Sequence, residues 1–125
     1  ISQFVPIPFA QFKQQTSKRK KQLKLWLLDQ TIAPSGIGNY LACEILAHAM
    51  LDPFMPINQL DKNQFQRLTS AIQQVSELAS LNSDYDWFKV FNRDACGFCR
   101  SIIQKRRVPK GAQTTHYCKA CQPVE

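Results

Sequence analysis

Apolar residues in the first two thirds of the chain recur every three or four positions, which is the spacing of a buried helix face. This pattern predicts one helix over about 11–30, a second over about 39–52, and a third that begins at Asp61. Asp61 and Gln64 have the spacing of a capping box. The predicted buried stripes are Leu23, Trp26 and Leu27, then Leu41, Ile45, Leu46 and Ala49, then Phe65, Leu68, Ile72, Val75 and Ala79.

Both ends of the chain lack this helical period. Residues 1–12 contain Pro6 and Pro8, which favour extended or loop structure. Toward the other end, two β-favouring stretches, 101–108 and 114–117, predict a small hairpin with Lys110 and Gly111 at its tip. The expected fold class is therefore mostly α: a helical domain over 1–88, followed by a small β-hairpin unit over 89–125.

Four cysteines frame the predicted hairpin. They are arranged as Cys96-x2-Cys99 and Cys118-x2-Cys121, separated by eighteen residues, which is the spacing of a zinc site. Four thiolates on two tight turns can surround one tetrahedral Zn²⁺, leaving no open position for catalysis. A hairpin alone is marginal in water, so one structural zinc ion would supply its stability. The alternatives are two disulfides or a redox cysteine pair.

Two further residues have side chains that could bind a metal ion, but we do not assign them to it. Cys43 lies within the second predicted helix and is interpreted as a small core or boundary residue. His116 precedes Cys118 by two positions, and a surface or DNA-facing role is expected because four cysteines already complete the site.

Basic residues are concentrated in two tracts. The chain carries a net charge of +7, and twelve of its sixteen Lys and Arg residues lie in tracts that contain no acid. The like charges within each tract repel one another, and a bound polyanion would relieve that repulsion. Nucleic acid is the favoured polyanion, because neutralising its phosphates releases condensed counterions. The alternative is a solvated helix face with a basic hairpin tip. No apolar run approaches the ~20 residues of a membrane span. The tracts are Lys13, Lys18, Arg19, Lys20, Lys21 and Lys24, then Arg100, Lys105, Arg106, Arg107, Lys110 and Lys119.

A glycine-rich turn precedes the second predicted helix. Gly36 and Gly38 allow close backbone approach, and the N-terminus of the helix that follows favours an anion. Asn39 adds a side-chain donor, and Lys24 is expected to lie near the same place. The turn is therefore a candidate phosphate-binding element. An ordinary turn with a helix cap is the alternative.

Two motifs, first the glycine-rich turn between helices and then the pair of CxxC turns, resemble the formamidopyrimidine-DNA glycosylase / endonuclease VIII family. The segment from Leu27 through Gly36-Ile37-Gly38-Asn39 to Leu46 resembles its helix–two-turns–helix, and the segments 90–103 and 113–122 resemble its C-terminal zinc finger. The resemblance covers nearly the whole chain. It implies a helix–two-turns–helix DNA-binding domain over 1–88 and a zinc finger over 89–125.

The resemblance implies base-excision repair, in which an oxidised base is extruded from duplex DNA and its glycosidic bond is cleaved. In this family an N-terminal proline amine forms a Schiff base with the sugar, the glutamate after it assists proton transfer, and strand cleavage follows. The chain begins Ile1-Ser2, so we expect that catalytic domain to be missing and the chain to carry no catalytic residue. It is interpreted as the DNA-binding half of a bifunctional DNA glycosylase/AP lyase.

The resemblance also implies which residues hold DNA. Asn39 and the backbone at Gly38 would grip a phosphate beside the lesion, and the finger tip would contact the duplex from the other side. Gln113 stands where the family usually has an arginine and lacks the charge and fork of that side chain. Basic residues of the finger would then take the place of the family's arginine. The predicted DNA-binding residues are Lys24, Gly38, Asn39, Arg106, Arg107, Lys110 and Gln113.

The implied partner is double-stranded DNA with a damaged base or an abasic site. We expect a monomer that acts with DNA inside the cell, in the nucleus or the bacterial nucleoid, and not at a membrane. Two other functions stay open at this point: a non-catalytic zinc-ribbon module that binds nucleic acid, and a zinc-stabilised protein-interaction domain.

Overall fold

The structure, a computed structural model, describes residues 8–18, 21–28, 39–81, 87–107 and 114–122. Within these ranges, no helix is long and apolar enough to cross a membrane. The mostly α fold with a small hairpin is confirmed. The elements are α1 (Phe9–Thr16), α2 (Leu23–Leu28), α3 (Asn39–Ala49), a 3₁₀ helix (Ile57–Gln59), α4 (Lys62–Leu81), β1 (Gln104–Arg107) and β2 (Thr114–Tyr117).

The beginning of the chain differs from the sequence prediction. A loop was expected through residue 12, but α1 already begins at Phe9, directly after Pro8. Proline is tolerated at a helix start because its missing N–H has no partner there in any helix. Residues 1–7 lie outside the described part of the chain.

The single helix predicted over 11–30 is wrong, because α1 and α2 are separate helices. Between them, Gln22 forms a β-bridge with Pro56, and the Ile57 N–H donates to the Lys21 carbonyl at 2.8 Å. The N–H of Leu23 likewise donates to the Met55 carbonyl at 2.8 Å. The loop after α3 therefore satisfies backbone groups that a continuous helix would have paired internally.

The main core lies among the helices and matches the predicted stripes. Phe12 packs between Trp26 and Phe65, with ring centroids 5.4 and 4.5 Å away. The capping box of α4 is confirmed: the Gln64 N–H donates to Asp61 at 2.7 Å, and the Asp61 N–H donates to the Gln64 side chain at 2.9 Å. Buried members of this core include Leu23, Leu27, Leu41, Ile45, Leu46, Leu68, Ile72 and Val75.

The hairpin and the cysteine turns, together called the finger here (residues 89–107 and 114–122), have a second core. Strands β1 and β2 pair antiparallel, with Gln104 opposite Tyr117 and Arg107 opposite Thr114. The second core contains Cys43 and Ala47 from α3 together with Val90, Cys96, Ile103 and Cys118. Helix α3 thus contributes to both cores, so the predicted boundary at 88/89 separates two regions that share a helix.

Buried polar side chains also fasten the finger to the helices. The carboxylate of Glu44, fully buried on α3, accepts hydrogen bonds from the N–H groups of Lys89, Val90 and Phe91 at 2.7–2.9 Å. The buried Gln122 amide donates to the Leu51 carbonyl at 3.1 Å. These bonds fix where the finger lies relative to α3.

Candidate nucleic-acid interface and metal centre

The four predicted metal ligands come together in the finger. The sulfur atoms of Cys96, Cys99, Cys118 and Cys121 all lie within 4.8 Å of one another. Cys99 and Cys118 are 3.3 Å apart, and Cys96 and Cys121 are 3.9 Å apart. A tetrahedron with Zn–S bonds of about 2.3 Å has edges of roughly 3.8 Å, so this donor set fits such an ion. All five cysteines of the chain are free thiols.

Tight backbone turns place these sulfurs. In the first turn the Arg100 N–H donates to the Cys96 carbonyl at 2.8 Å, and Arg100 has a left-handed φ of 66°. Gly97 lies against Lys89, and a Cβ at this glycine would come within 3.2 Å of the Lys89 Cα. In the second turn the Cys121 N–H points at the Cys118 sulfur at 3.4 Å. Such N–H donors favour a negatively charged sulfur.

Hydrogen bonds and burial shift the pKa values of three thiols in the cluster in different directions. Hydrogen bonds from Ser101, and then from Cys118 and Cys121, lower the pKa of the Cys99 thiol to about 6. Burial raises the pKa of Cys118 and of Cys121, and hydrogen bonding to Cys99 raises both further. Metal ligands must be thiolates, so the four cysteines would hold a zinc ion in their deprotonated form, and the lowered pKa of Cys99 favours that form.

Asn39, the predicted phosphate contact, begins α3 and touches the finger. Its side-chain N–H donates to the Thr114 carbonyl at 3.1 Å, across 75 positions of sequence. The Asn39 side-chain oxygen is buried and has no hydrogen-bond partner among the residues that the structure describes. The start of α3 and strand β2 therefore lie side by side. Gly38, before Asn39, lies outside the described residues.

Lys24 lies close to Asn39, as the sequence predicted, because both side chains donate to the Thr114 carbonyl. The residue is only 2% exposed, and its Nζ donates to the Thr115 hydroxyl at 2.8 Å and to the Thr114 carbonyl at 3.4 Å. Burial lowers the pKa of Lys24. Its role as a phosphate contact stays a prediction, and in this structure the ammonium donates to the finger.

Lys13, at the other end of the first basic tract, also makes hydrogen bonds within the protein. Lys13 on α1 donates to the carbonyls of Asn58 and Leu60 at 2.6 and 3.0 Å, at the end of the 3₁₀ helix. Carbonyls at a helix C-terminus carry partial negative charge, which explains this pairing. The first tract is therefore not one continuous cationic face.

Two predicted DNA-binding cations lie exposed on β1. Arg106 and Arg107 are next to each other in the strand, so their side chains leave opposite faces of the hairpin. The guanidinium of Arg106 lies over the Phe54 ring, 4.3 Å from its centroid. Lys110 and Gln113, at the predicted tip, lie outside the described residues. The DNA-binding roles of these residues stay predictions.

His116 is not on the surface, contrary to the sequence interpretation. It is 7% exposed, its Nδ1 accepts the Asn92 N–H at 3.1 Å, and its ring lies 4.6 Å from that of Phe91. Burial, with Lys105 and Lys24 nearby, lowers the pKa of His116, so the ring is neutral and structural. Cys43 is 1% exposed, as a core residue should be, and burial raises the pKa of its thiol.

Sequence reasoning missed the residues that join the helices to the finger. Glu44 interrupts an apolar stretch of α3, and an acid at such a position signals a buried acceptor. Thr114 and Thr115 gave no signal, because their partners Lys24 and Asn39 are at least 75 residues away in sequence.

The chain is similar to known proteins along most of its length. The family model for the formamidopyrimidine-DNA glycosylase H2TH domain matches residues 4–84. A curated relative, the formamidopyrimidine-DNA glycosylase of Prochlorococcus marinus (strain MIT 9312), is 32% identical over an alignment that covers 94% of this chain and 47% of the relative.

Solved structures are similar to the chain over most of its length as well. The MutM (Fpg) protein of Thermus thermophilus is 28% identical with a TM-score of 0.78, covering 94% of this chain and 51% of that protein. Fpg of Lactococcus lactis, in complex with DNA containing an abasic site, is 26% identical with a TM-score of 0.78, covering 92% of this chain and 47% of that protein. The chain spans about half the length of these proteins.

Proposed function

Because the chain belongs to the family of the formamidopyrimidine-DNA glycosylase H2TH domain, we propose that it is the DNA-binding half of a base-excision-repair DNA glycosylase/AP lyase. Such an enzyme removes oxidised bases from DNA and cleaves the strand at the resulting abasic site. The Lactococcus lactis neighbour is solved with abasic-site DNA, which supports a damaged duplex as the partner.

One contact supports this function most directly. The hydrogen bond from Asn39 to Thr114 joins the start of α3 to the finger hairpin. These are the two elements that the family resemblance assigns to opposite sides of the DNA. The hydrogen bond fixes the start of α3 relative to the finger, so a duplex that contacts both elements has a defined position.

DNA binding and covalent chemistry are assigned to different domains of the proposed enzyme. We assign phosphate binding to the start of α3, with Gly38 and Asn39, and to the finger, with Arg106, Arg107, Lys110 and Gln113. Helix N-termini and arginine guanidiniums are both suited to phosphate. The covalent chemistry belongs to the proline–glutamate domain of such an enzyme. We place no catalytic residue in this chain and expect a monomer that acts where the genome is, in the nucleus or nucleoid.

One structural zinc ion is part of the proposal. Cys96, Cys99, Cys118 and Cys121 would hold it, and it would stabilise a hairpin too small to fold alone. The division into 1–88 and 89–125 is proposed as a division of roles, since α3 belongs to both cores.

Binding to matched duplexes tests the proposal. The zinc-loaded chain should bind a duplex with a stable abasic-site analogue more tightly than the undamaged duplex, at every salt concentration of a series. Equal affinity for the two duplexes would instead indicate a lesion-blind nucleic-acid module. Binding that vanishes at moderate salt with no lesion preference would indicate that the basic tracts are incidental.

A further inference from the structure

Arg106 and Phe54 form a stacked pair between the finger and the loop after α3. The Arg106 guanidinium carbon lies 4.3 Å from the centroid of the Phe54 ring and 5.7 Å from that of Tyr117. The two rings meet edge to face at 5.3 Å. A guanidinium over an aromatic face at this distance is held by cation–π attraction.

The hairpin register explains why Arg106 reaches this loop. Arg106 pairs with Thr115 across the two strands, and Gln104 pairs with Tyr117. Cross-strand partners and residues two apart share one face of a hairpin. This is the face that Lys24 contacts through Thr115, so Arg106 leans toward the helical part and not freely into solvent.

The loop that carries Phe54 is itself fixed. The Phe54 N–H donates to the Asp52 carboxylate at 2.8 Å, and the neighbouring Pro53 carbonyl accepts the Lys24 N–H at 3.0 Å. The backbone of this loop is therefore held at Phe54, and the ring packs edge to face against Tyr117 of the finger. The Phe54 ring is half-buried, whereas Arg106 is exposed.

We propose that Phe54 is a positioning residue for DNA binding: its ring holds the Arg106 guanidinium flat so that the N–H edge faces a backbone phosphate. This inference rests on the proposed function. A long arginine loses rotamer freedom when it binds, and stacking removes part of that cost in advance. The flat orientation leaves the planar N–H fork free for two parallel bonds to phosphate oxygens.

A double-mutant cycle in the zinc-loaded chain tests this, with the abasic-analogue duplex as probe. Phe54→Leu keeps the apolar bulk and removes the aromatic face, so Kd should rise about two- to fivefold. Phe54→Tyr, which keeps an aromatic face, should bind the duplex as tightly as the wild type does. In an Arg106→Gln background, Phe54→Leu should have no further effect, because the group that it positions is gone.

A matched control uses another cation–aromatic pair of the finger, one that does not involve Arg106. Lys89 Nζ lies 5.6 Å from the Phe98 ring centroid, and Phe98→Leu should leave Kd unchanged. Zinc content and thermal unfolding verify that each variant folds. As a second measurement, the Arg106 δ-methylene protons of the wild-type chain should show an upfield ring-current shift in the NMR spectrum. Absence of this shift would overturn the inference without any variant.

The outcomes separate this inference from the proposed function. If Phe54→Leu weakens binding equally with and without Arg106, or not at all, Phe54 has no positioning role, while lesion-selective binding by the wild type still supports the proposed function. If the wild-type chain does not bind the duplex, the proposed function fails and this inference fails with it.

Discussion

The ammonium of Lys24 lies 2.8 Å from the hydroxyl of Thr115, and both residues are buried at the contact between α2 and β2. A basic residue beside a glycine turn is easily taken for a phosphate ligand. Here it stabilises the junction between the helices and the finger.

Lys24→Met should leave the salt dependence of DNA binding unchanged, because the ammonium is buried against Thr114 and Thr115. Arg107→Gln, which removes an exposed cation, should reduce the slope of log K against log salt by about 0.9. The measurement is a salt titration of duplex affinity for both variants. A slope that falls by the same amount for Lys24→Met would return Lys24 to the phosphate contacts.

The same substitution should change how stability depends on pH. Burial lowers the pKa of Lys24 in the folded state from its ordinary 10.5. Between these two pKa values the unfolded chain binds more protons, so the folding stability contributed by Lys24 rises with pH. Wild type should therefore gain stability relative to Lys24→Met as pH is raised toward 10.5. Denaturant unfolding over a pH series measures this, and a pH-independent difference would contradict it.

Glu44→Gln should destabilise the chain. The wild-type carboxylate accepts three backbone N–H bonds in a fully buried position, and an amide would present a donor to one of those donors. Hydrogen bonds to a buried charge contribute about 1.5–3 kcal/mol, so we expect a loss of at least about 2 kcal/mol. Glu77→Gln on the exposed face of α4 is the control. Chemical denaturation gives both values, and equal losses would remove the anchoring role of Glu44.

Removing the metal should weaken the helical part as well as the finger. Cys118→Ser or chelation loosens a core that includes Cys43 and Ala47 of α3. Burial of apolar side chains on α3 is then lost, which lowers the stability of the helix. Circular dichroism should show α-helical signal melting at a lower temperature without metal. Identical melting curves, with the metal shown to be absent, would mean that the helices fold independently of the finger.

Local sequence signals predicted part of this molecule well. Periodicity and the Asp61–Gln64 capping box predicted α3 and α4, because these helices are set by residues three or four apart. The CxxC turns predicted the sulfur cluster for the same reason. In contrast, the break between α1 and α2 depends on pairing between Gln22 and Pro56, which no local pattern records.

The candidate site shows the same division. Asn39 was singled out from the turn before it, and its DNA-binding role stays a prediction, whereas the burial of Lys24 depends on Thr115, 91 positions away. Phe54 gave no signal either, because its partner Arg106 arrives on a different element. Contacts of this kind require the fold to be known before the role of a residue can be assigned.

We propose that the start of α3 and the finger hold damaged DNA together, and Asn39 belongs to α3 and contacts the finger. Quantitative binding of an abasic-analogue duplex by wild type, Asn39→Ala and the exposed-surface control Gln73→Ala tests this most directly. Asn39→Ala removes the hydrogen bond that joins the start of α3 to the finger and should weaken binding to the abasic-analogue duplex by about tenfold, or about 1.4 kcal/mol, while Gln73→Ala stays at the wild-type value. Equal affinities for all three chains would contradict the account.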